Sequence, residues 1–231
     1  MRFDVSYFMQ TIVRFLPYLL IVIKVLLYSV GCGLILGSLL AWAKLSKNRV
    51  LRGLAYAYTT LIRCTPAVIL LLLLYYGIPL LLNLLLGVKI TNASKELFLI
   101  ISMALFCGAS MSEALRAAYT AISSNQFEAA ISVGMTDFQA FRRVLLPQVV
   151  FVVLPPMANI IVSTLKEGSL GFTIGFIDLI GRANVLNGNT LGNYLLEIYI
   201  SAALFYWVLS GTIIAGIRSL ERIFGKHKIT Y

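Results

Sequence analysis

Long apolar runs separated by short charged segments organise this chain. The first run covers about residues 16–43 and is broken only by Lys24. A second, about 65–86, carries no charge at all. The third begins near Leu97, reaches Ser112 and then meets Glu113 and Arg116. The fourth starts at Val149 and ends at the pair Lys166-Glu167, and the last runs over about 193–217 with Glu197 near its start. A helix crossing a bilayer needs about 17–25 predominantly apolar residues. The pattern therefore predicts an all-α integral membrane protein of five transmembrane helices, at about 16–43, 65–86, 97–117, 149–167 and 193–217, forming one transmembrane domain over 1–231. The uncharged stretch 168–181 is too short for an independent crossing and too rich in glycine for a comfortable helix. It is expected to continue the fourth span beyond a break, or to form a re-entrant segment sheltered by protein.

Composition agrees with a membrane protein. Of 231 residues, 60% are hydrophobic and 12% charged, against about a quarter charged in a soluble domain. Such a chain cannot cover its core with polar surface, which excludes an ordinary soluble enzyme, a disordered chain and a collagenous one. Cys32, Cys64 and Cys107 sit inside apolar runs at no metal-like spacing and read as small buried hydrophobes. The net charge of +10 is read as loop charge that fixes orientation, not as a nucleic-acid surface, because no basic patch is interleaved with exposed aromatics.

Lys44, Lys47, Arg49 and Arg52 follow the first run, and Arg218, Arg222, Lys226 and Lys228 follow the last. With five spans these fall on one side, together with the segment between spans three and four. The other side receives Arg2, Arg14, Lys89, Lys95 and Arg182. The positive-inside rule then predicts an outer N-terminus and a cytoplasmic C-terminus. The first fifteen residues lack the charged, apolar, small-residue order of a cleaved signal peptide. The sequon Asn92-Ala93-Ser94 on the outer loop carries no weight, since such triplets are common by chance.

The segment 121–148 between spans three and four is polar and patterned. Asn125 and Glu128 are spaced as a capping box that opens a helix. Phe127, Ala130 and Ile131 would share one face, and Gly134 stands where a left-handed cap would end it. Thr136 and Gln139 repeat the box, Phe138, Phe141 and Leu145 would share a face of the second helix, and Pro147 would limit it. Two short helices joined at a glycine form a ledge that either lies on lipid or presents a face to a partner; the pattern alone supports both.

Glu128-Ala129-Ala130, Gly134 after three residues, and Val144 with Leu146-Pro147 after nine more resemble the EAA signature of ABC importer permeases. Arg63-Cys64-Thr65-Pro66, Tyr75-Tyr76-Gly77-Ile78-Pro79, the pair Glu113 and Arg116, Gln126 before the signature, Gln148 after it, and Lys166-Glu167 are similar to the branch that carries polar amino acids of the histidine, glutamine, glutamate and arginine type. The likeness spans about 31–182. Cys64 stands in place of a usual glycine, Leu70 of a frequent glutamine, Asn125 of a common glycine, and Gly168 of a threonine or serine.

The resemblance implies a type I importer permease in a bacterial inner membrane, taking up a polar amino acid, cystine among the fitting ones. It implies a second permease subunit, identical or homologous, an ABC ATPase dimer and an extracellular or periplasmic substrate-binding protein. ATP and Mg would sit on the ATPase, with no cofactor on this chain, and Gln126, Glu128, Ala129, Ala130, Gly134, Leu146 and Pro147 would couple the two. This chain has no Gly-x-x-x-x-Gly-Lys-Ser/Thr phosphate loop. Gly31, Gly33 and Gly37 are read as helix-packing positions instead.

Ionisable groups inside spans are costly and face bundle interiors or aqueous cavities. The candidates for a substrate pathway are Lys166, Glu167, Glu113 and Arg63, with Asn159 and Ser163 placed to share a helical face with Lys166 or Glu167. A zwitterion needs a cation for its carboxylate and an acceptor for its ammonium. The competing expectation is internal pairing of Lys166 with Glu113 or Glu167 with Arg116. Arg63 is read as a packing or gating residue before a ligand contact, and Lys24 as a snorkelling one. An ion-coupled secondary amino-acid transporter is the alternative; no half-to-half repeat supports it.

Overall fold

The computed structural model describes residues 3–87, 94–122 and 124–225. The expectations on Arg2, Lys89, Asn92, Lys226 and Lys228 lie outside them. Among the described residues, five helices are long and apolar enough to cross a membrane: Val5–Leu45, Ala67–Leu86, Lys95–Ala121, Asp137–Ile174 and Leu195–Ile223. Each contains most of one predicted span.

Helix α1, Val5–Leu45, opens with the Asp4 carboxylate accepting the Tyr7 N–H and continues two residues past the expected end. Helix α5, Lys95–Ala121, runs beside it in parallel. Gly33 and Gly37 face Cys107, Gly108 and Met111 so closely that a Cβ on Gly37 would stand 2.8 Å from the Met111 Cβ and 3.0 Å from the Gly108 carbonyl oxygen. Small residues let backbones approach where lipid offers no hydrophobic drive for association. Gly31, by contrast, has open space around it. Lys24, expected to snorkel, pairs with Glu96 at 2.6 Å, while Lys44 reaches Ser112 and Glu113 at the far end.

The chain returns through helix α2, Arg49–Cys64, which was read from sequence as loop and the start of a span. Its basic and hydroxyl residues keep it from reading as a uniformly apolar run. It lies along α1 and α5, with the Tyr58 hydroxyl donating to the Leu105 carbonyl at 3.3 Å. Pro66 then breaks it, with Thr65 held extended at φ −93°, ψ 125°, the conformation a following proline favours. Helix α3 (Ala67–Leu72), a π turn (Leu73–Gly77) and α4 (Ile78–Leu86) complete the return.

Helix α6 (Ser124–Ser132) and helix α7 (Asp137–Ala140) form the ledge. The first opens one residue before Asn125 and turns at Gly134, φ +87°. The Thr136–Gln139 capping box is present. Phe138 is exposed while Leu145 is buried, so the expected shared face is broken. The cause is a second π turn, Phe141–Leu145, in which the Leu146 N–H bonds to the Phe141 carbonyl. Pro147 does not limit the helix: it sits in the first turn of α8, Leu146–Gly168. Both π turns precede a proline, Pro79 and Pro147. A proline offers no N–H to the carbonyl four residues back and its ring crowds that carbonyl, so a widened turn relieves the clash.

A 3₁₀ segment, Ser169–Ile174, continues the fourth span past the glycines, as one of the two sequence readings expected. Helix α9 (Leu179–Asn189) and α10 (Leu195–Gly225) follow, and Leu179, Ala183 and Leu186 bury against Phe15, Val22 and Ile198. Helix α9 was not anticipated, because eleven residues interrupted by glycines carry a weak period. Its cap, Asp178, accepts the Gly181 N–H at 2.8 Å, and burial pushes its carboxyl up to about 6.

That shift has a sign. The folded chain keeps the Asp178 proton to near pH 6, while an unfolded carboxyl loses it near its ordinary 3.8. The stability this proton brings is full at low pH and is lost as pH rises towards 6. A displacement of two units corresponds to roughly 3 kcal/mol. Asp178→Asn keeps an acceptor for Gly181 without the buried charge. It is expected to raise the melting temperature of the detergent-solubilised protein by several degrees at pH 7.5 and to change little at pH 4; an equal effect at both would refute the charge argument.

Candidate functional site

Near the middle of α5, a cavity of about 330 Å³ opens between three helices. Arg63 from α2, Phe106 and Ser110 from α5, and Asn159, Ile160, Ser163 and Thr164 from α8 line it. Its size is at the lower end of the ~300–1,000 Å³ of small-molecule sites. The sequence fixes each position by helix geometry. Cys64 to Pro66 ends α2 just after Arg63, and Asn159, Ser163 and Lys166 recur at helical spacing along one exposed face of α8. Polar groups on an otherwise apolar membrane helix are costly against lipid and belong on a cavity or a protein contact. The Thr164 hydroxyl donates to the Ile160 carbonyl at 2.9 Å.

Among the predicted pathway residues, Arg63, Asn159 and Ser163 are therefore brought together. Arg63, read first as a packing or gating residue, lines the cavity. Lys166 lies beyond Ser163 on the same exposed face but outside the lining, and Glu167 is half-buried beside it; among the described residues neither forms an ion pair. Glu113 lies elsewhere. The expected pairs Lys166–Glu113 and Glu167–Arg116 are not made. Glu113 Oε1 is 2.7 Å from Lys44 Nζ, and Glu113 Oε2 is 3.1 Å from the Arg116 guanidinium.

Lys44 was counted as a loop charge. The continuation of α1 to Leu45 instead carries it against α5, where its side chain is 0% exposed. There it donates to Ser112 Oγ at 2.8 Å and lies 5.3 Å from the centre of the Tyr56 ring. Sequence reasoning also missed Phe106, Ser110 and Thr164. Single hydroxyls and aromatics inside an apolar span look like packing, and only the i, i+4 spacing of Phe106 and Ser110 hints at a shared face.

The ledge stands at the Lys44 end of the α1–α5 pair, since α6 follows directly on α5. Gln148 Nε2 donates to Gln126 Oε1 at 2.5 Å and to the Val144 carbonyl at 2.8 Å, which ties α6 to the base of α8. Ala130 is buried, while Glu128, Ala129, Leu146 and Pro147 are exposed. Val133 and Phe138 project outward as well, 76% and 69% exposed.

Residues 33–223 match the family described as binding-protein-dependent transport system inner membrane component. A probable amino-acid ABC transporter permease protein, PatM of Vibrio harveyi, is 34% identical over 207 residues, 90% of each chain. The L-cystine transport system permease protein TcyL of Bacillus subtilis (strain 168) is 33% identical over 88% of this chain and 82% of its own. Among solved structures, an amino acid ABC transporter crystallised with histidines superposes with a TM-score of 0.82 at 29% identity, covering 96% of this chain and 99% of that one. An inward-facing methionine transporter, MetNI, shares the fold at a TM-score of 0.70 and 18% identity over 96% and 99%. This chain belongs to the binding-protein-dependent transport system inner membrane component family, and is a multi-pass membrane permease subunit of an amino-acid ABC importer.

Proposed function

We propose that the chain forms half of the translocation pathway for a polar amino acid, cystine among the fitting ones, and works by alternating access. The observation that carries this is the cavity lined by Arg63 of α2 and by residues of α5 and α8, Asn159 and Ser163 among them, the last two helices being those that hold the ledge. Arg63 takes the substrate α-carboxylate, and the amide and hydroxyl oxygens take its ammonium. Lys166 and Glu167 lie further along the pathway.

The ledge docks an ABC ATPase dimer, which holds ATP and Mg and supplies the energy. Gln126, Glu128, Ala129, Ala130, Gly134, Leu146 and Pro147 make or shape that contact. A second permease subunit, identical or homologous, covers the polar face of α8, and a substrate-binding protein delivers cargo at the opposite end. The ledge and the C-terminus are cytoplasmic and the N-terminus external; Lys47, Arg49, Arg142, Arg143, Arg218 and Arg222 all lie at the ledge end, in keeping with the positive-inside rule.

Gly134 gives the test of docking. Its φ of +87° favours glycine, yet a Cβ there meets nothing within 4 Å. Gly134→Asp strains the turn without touching the bundle. Membrane insertion should stay at wild-type levels while copurification of the ATPase drops at least ten-fold. Copurification at wild-type yield would remove the docking claim.

A further inference from the structure

The charges around the cavity say which amino acids it rejects. Arg63 is the one ionisable residue among the described lining residues; the others are Phe106, Ile160 and the neutral polar Ser110, Asn159, Ser163 and Thr164. The charged residue that continues this face of α8 towards the 3₁₀ segment is Lys166, again a cation and exposed. Glu113, at the nearby end of α5, is already bonded to Lys44 and Arg116. Glu167 is half-buried and outside the lining.

We infer that this cavity discriminates by side-chain charge: it accepts amino acids with neutral or acidic side chains and excludes lysine and arginine. The inference rests on the reading of the cavity as the substrate site. Every candidate carries at least one α-carboxylate and one α-ammonium, so Arg63 and the neutral oxygens serve that end of each alike. A cationic side chain adds a second positive charge that faces Arg63, with Lys166 further along the same face of α8 and no free carboxylate among the described lining residues. Desolvating an unpaired charge in such a place is heavily penalised. A neutral amide meets no such penalty, the second ammonium of cystine enters with its own carboxylate beside it, and a second carboxylate gains from the cationic field.

The measurement is equilibrium binding of radiolabelled glutamine, glutamate, cystine, lysine and arginine to the purified permease–ATPase complex without the binding protein, whose own selectivity would mask the permease. Lysine and arginine are expected to bind at least ten-fold more weakly than the best neutral or acidic ligand. Arg63→Gln should weaken binding of glutamine, glutamate and cystine at least ten-fold, and of lysine and arginine by less, because it removes a repelling charge along with the carboxylate anchor. Asn159→Asp, which adds a carboxylate without changing size, should strengthen arginine binding about ten-fold and weaken glutamate binding. Equal affinity for arginine and glutamine in the wild type, with Arg63→Gln still weakening both, would overturn the charge selectivity and leave the cavity reading in place. Binding untouched by Arg63→Gln, or no binding of any of the five, would overturn the cavity reading itself. An Asn159→Asp complex that assembles with normal ATPase yield yet gains nothing for arginine would also count against the selectivity.

Discussion

Glu113→Gln should cost the bundle about 3–5 kcal/mol, the usual penalty for leaving a buried charge without its partner. The Lys44 side chain is wholly screened from solvent, and its Nζ is held by Glu113 at 2.7 Å and Ser112 at 2.8 Å. A glutamine supplies a neutral acceptor of the same shape, so the lysine charge stays buried and uncompensated. Lys44→Met alone should be milder, because Glu113 keeps Arg116 at 3.1 Å and is itself 24% exposed. The double variant Lys44→Met/Glu113→Gln removes both charges and should recover most of the loss. Thermal melting of the solubilised complex gives the order directly: wild type, double variant and Lys44→Met above Glu113→Gln. A Glu113→Gln protein as stable as the double variant would show that the pair is not an energetic unit.

Gly37→Leu is expected to abolish a monodisperse complex. The atoms that a side chain on Gly37 would meet include the Gly108 carbonyl oxygen at 3.0 Å and the Ser112 nitrogen at 3.2 Å, and main-chain atoms do not yield as a flexible side chain would. The two helices must separate, which pulls Lys44 away from Ser112 and Glu113 as well. Even Gly37→Ala should lower the melting temperature by several degrees, consistent with the ~1–3 kcal/mol typical of overpacking. Gly31→Ala, placed where nothing lies within 4 Å, is the control and should leave the melting curve unchanged. Similar losses at both positions would mean that helix propensity, not close approach, governs this pair.

Much of this organisation is legible in the amino-acid sequence. Apolar runs alone gave five helices in the right places, and Gly134 and Thr136–Gln139 gave the turn and cap of the ledge, because these depend on local chemistry. What escaped was tertiary. Lys44 belongs by position to a basic loop, and only the continuation of α1 to Leu45 aims it at Ser112 and Glu113. Arg63 sits on a helix too polar to register as a span, so its place beside Asn159 and Ser163 required knowing that α2 returns along α5. Gly33 and Gly37 were correctly read as packing positions, but Gly31 fits the same pattern and packs against nothing; a one-dimensional spacing does not say which side of a helix meets a neighbour.

The widened turn at Phe141–Leu145 has a consequence for angular phase. One extra residue is accommodated there before α8 begins, and each residue of a helix advances its azimuth by on the order of 100°. Deleting a single residue from that turn would restore ordinary pitch and leave Asn159 and Ser163 near their present bearing, whereas deleting one from the regular part of α8 before Asn159 would swing them by about a quarter-revolution. The widened turn thus absorbs a surplus residue without disturbing the mutual bearing of the ledge and the polar stripe.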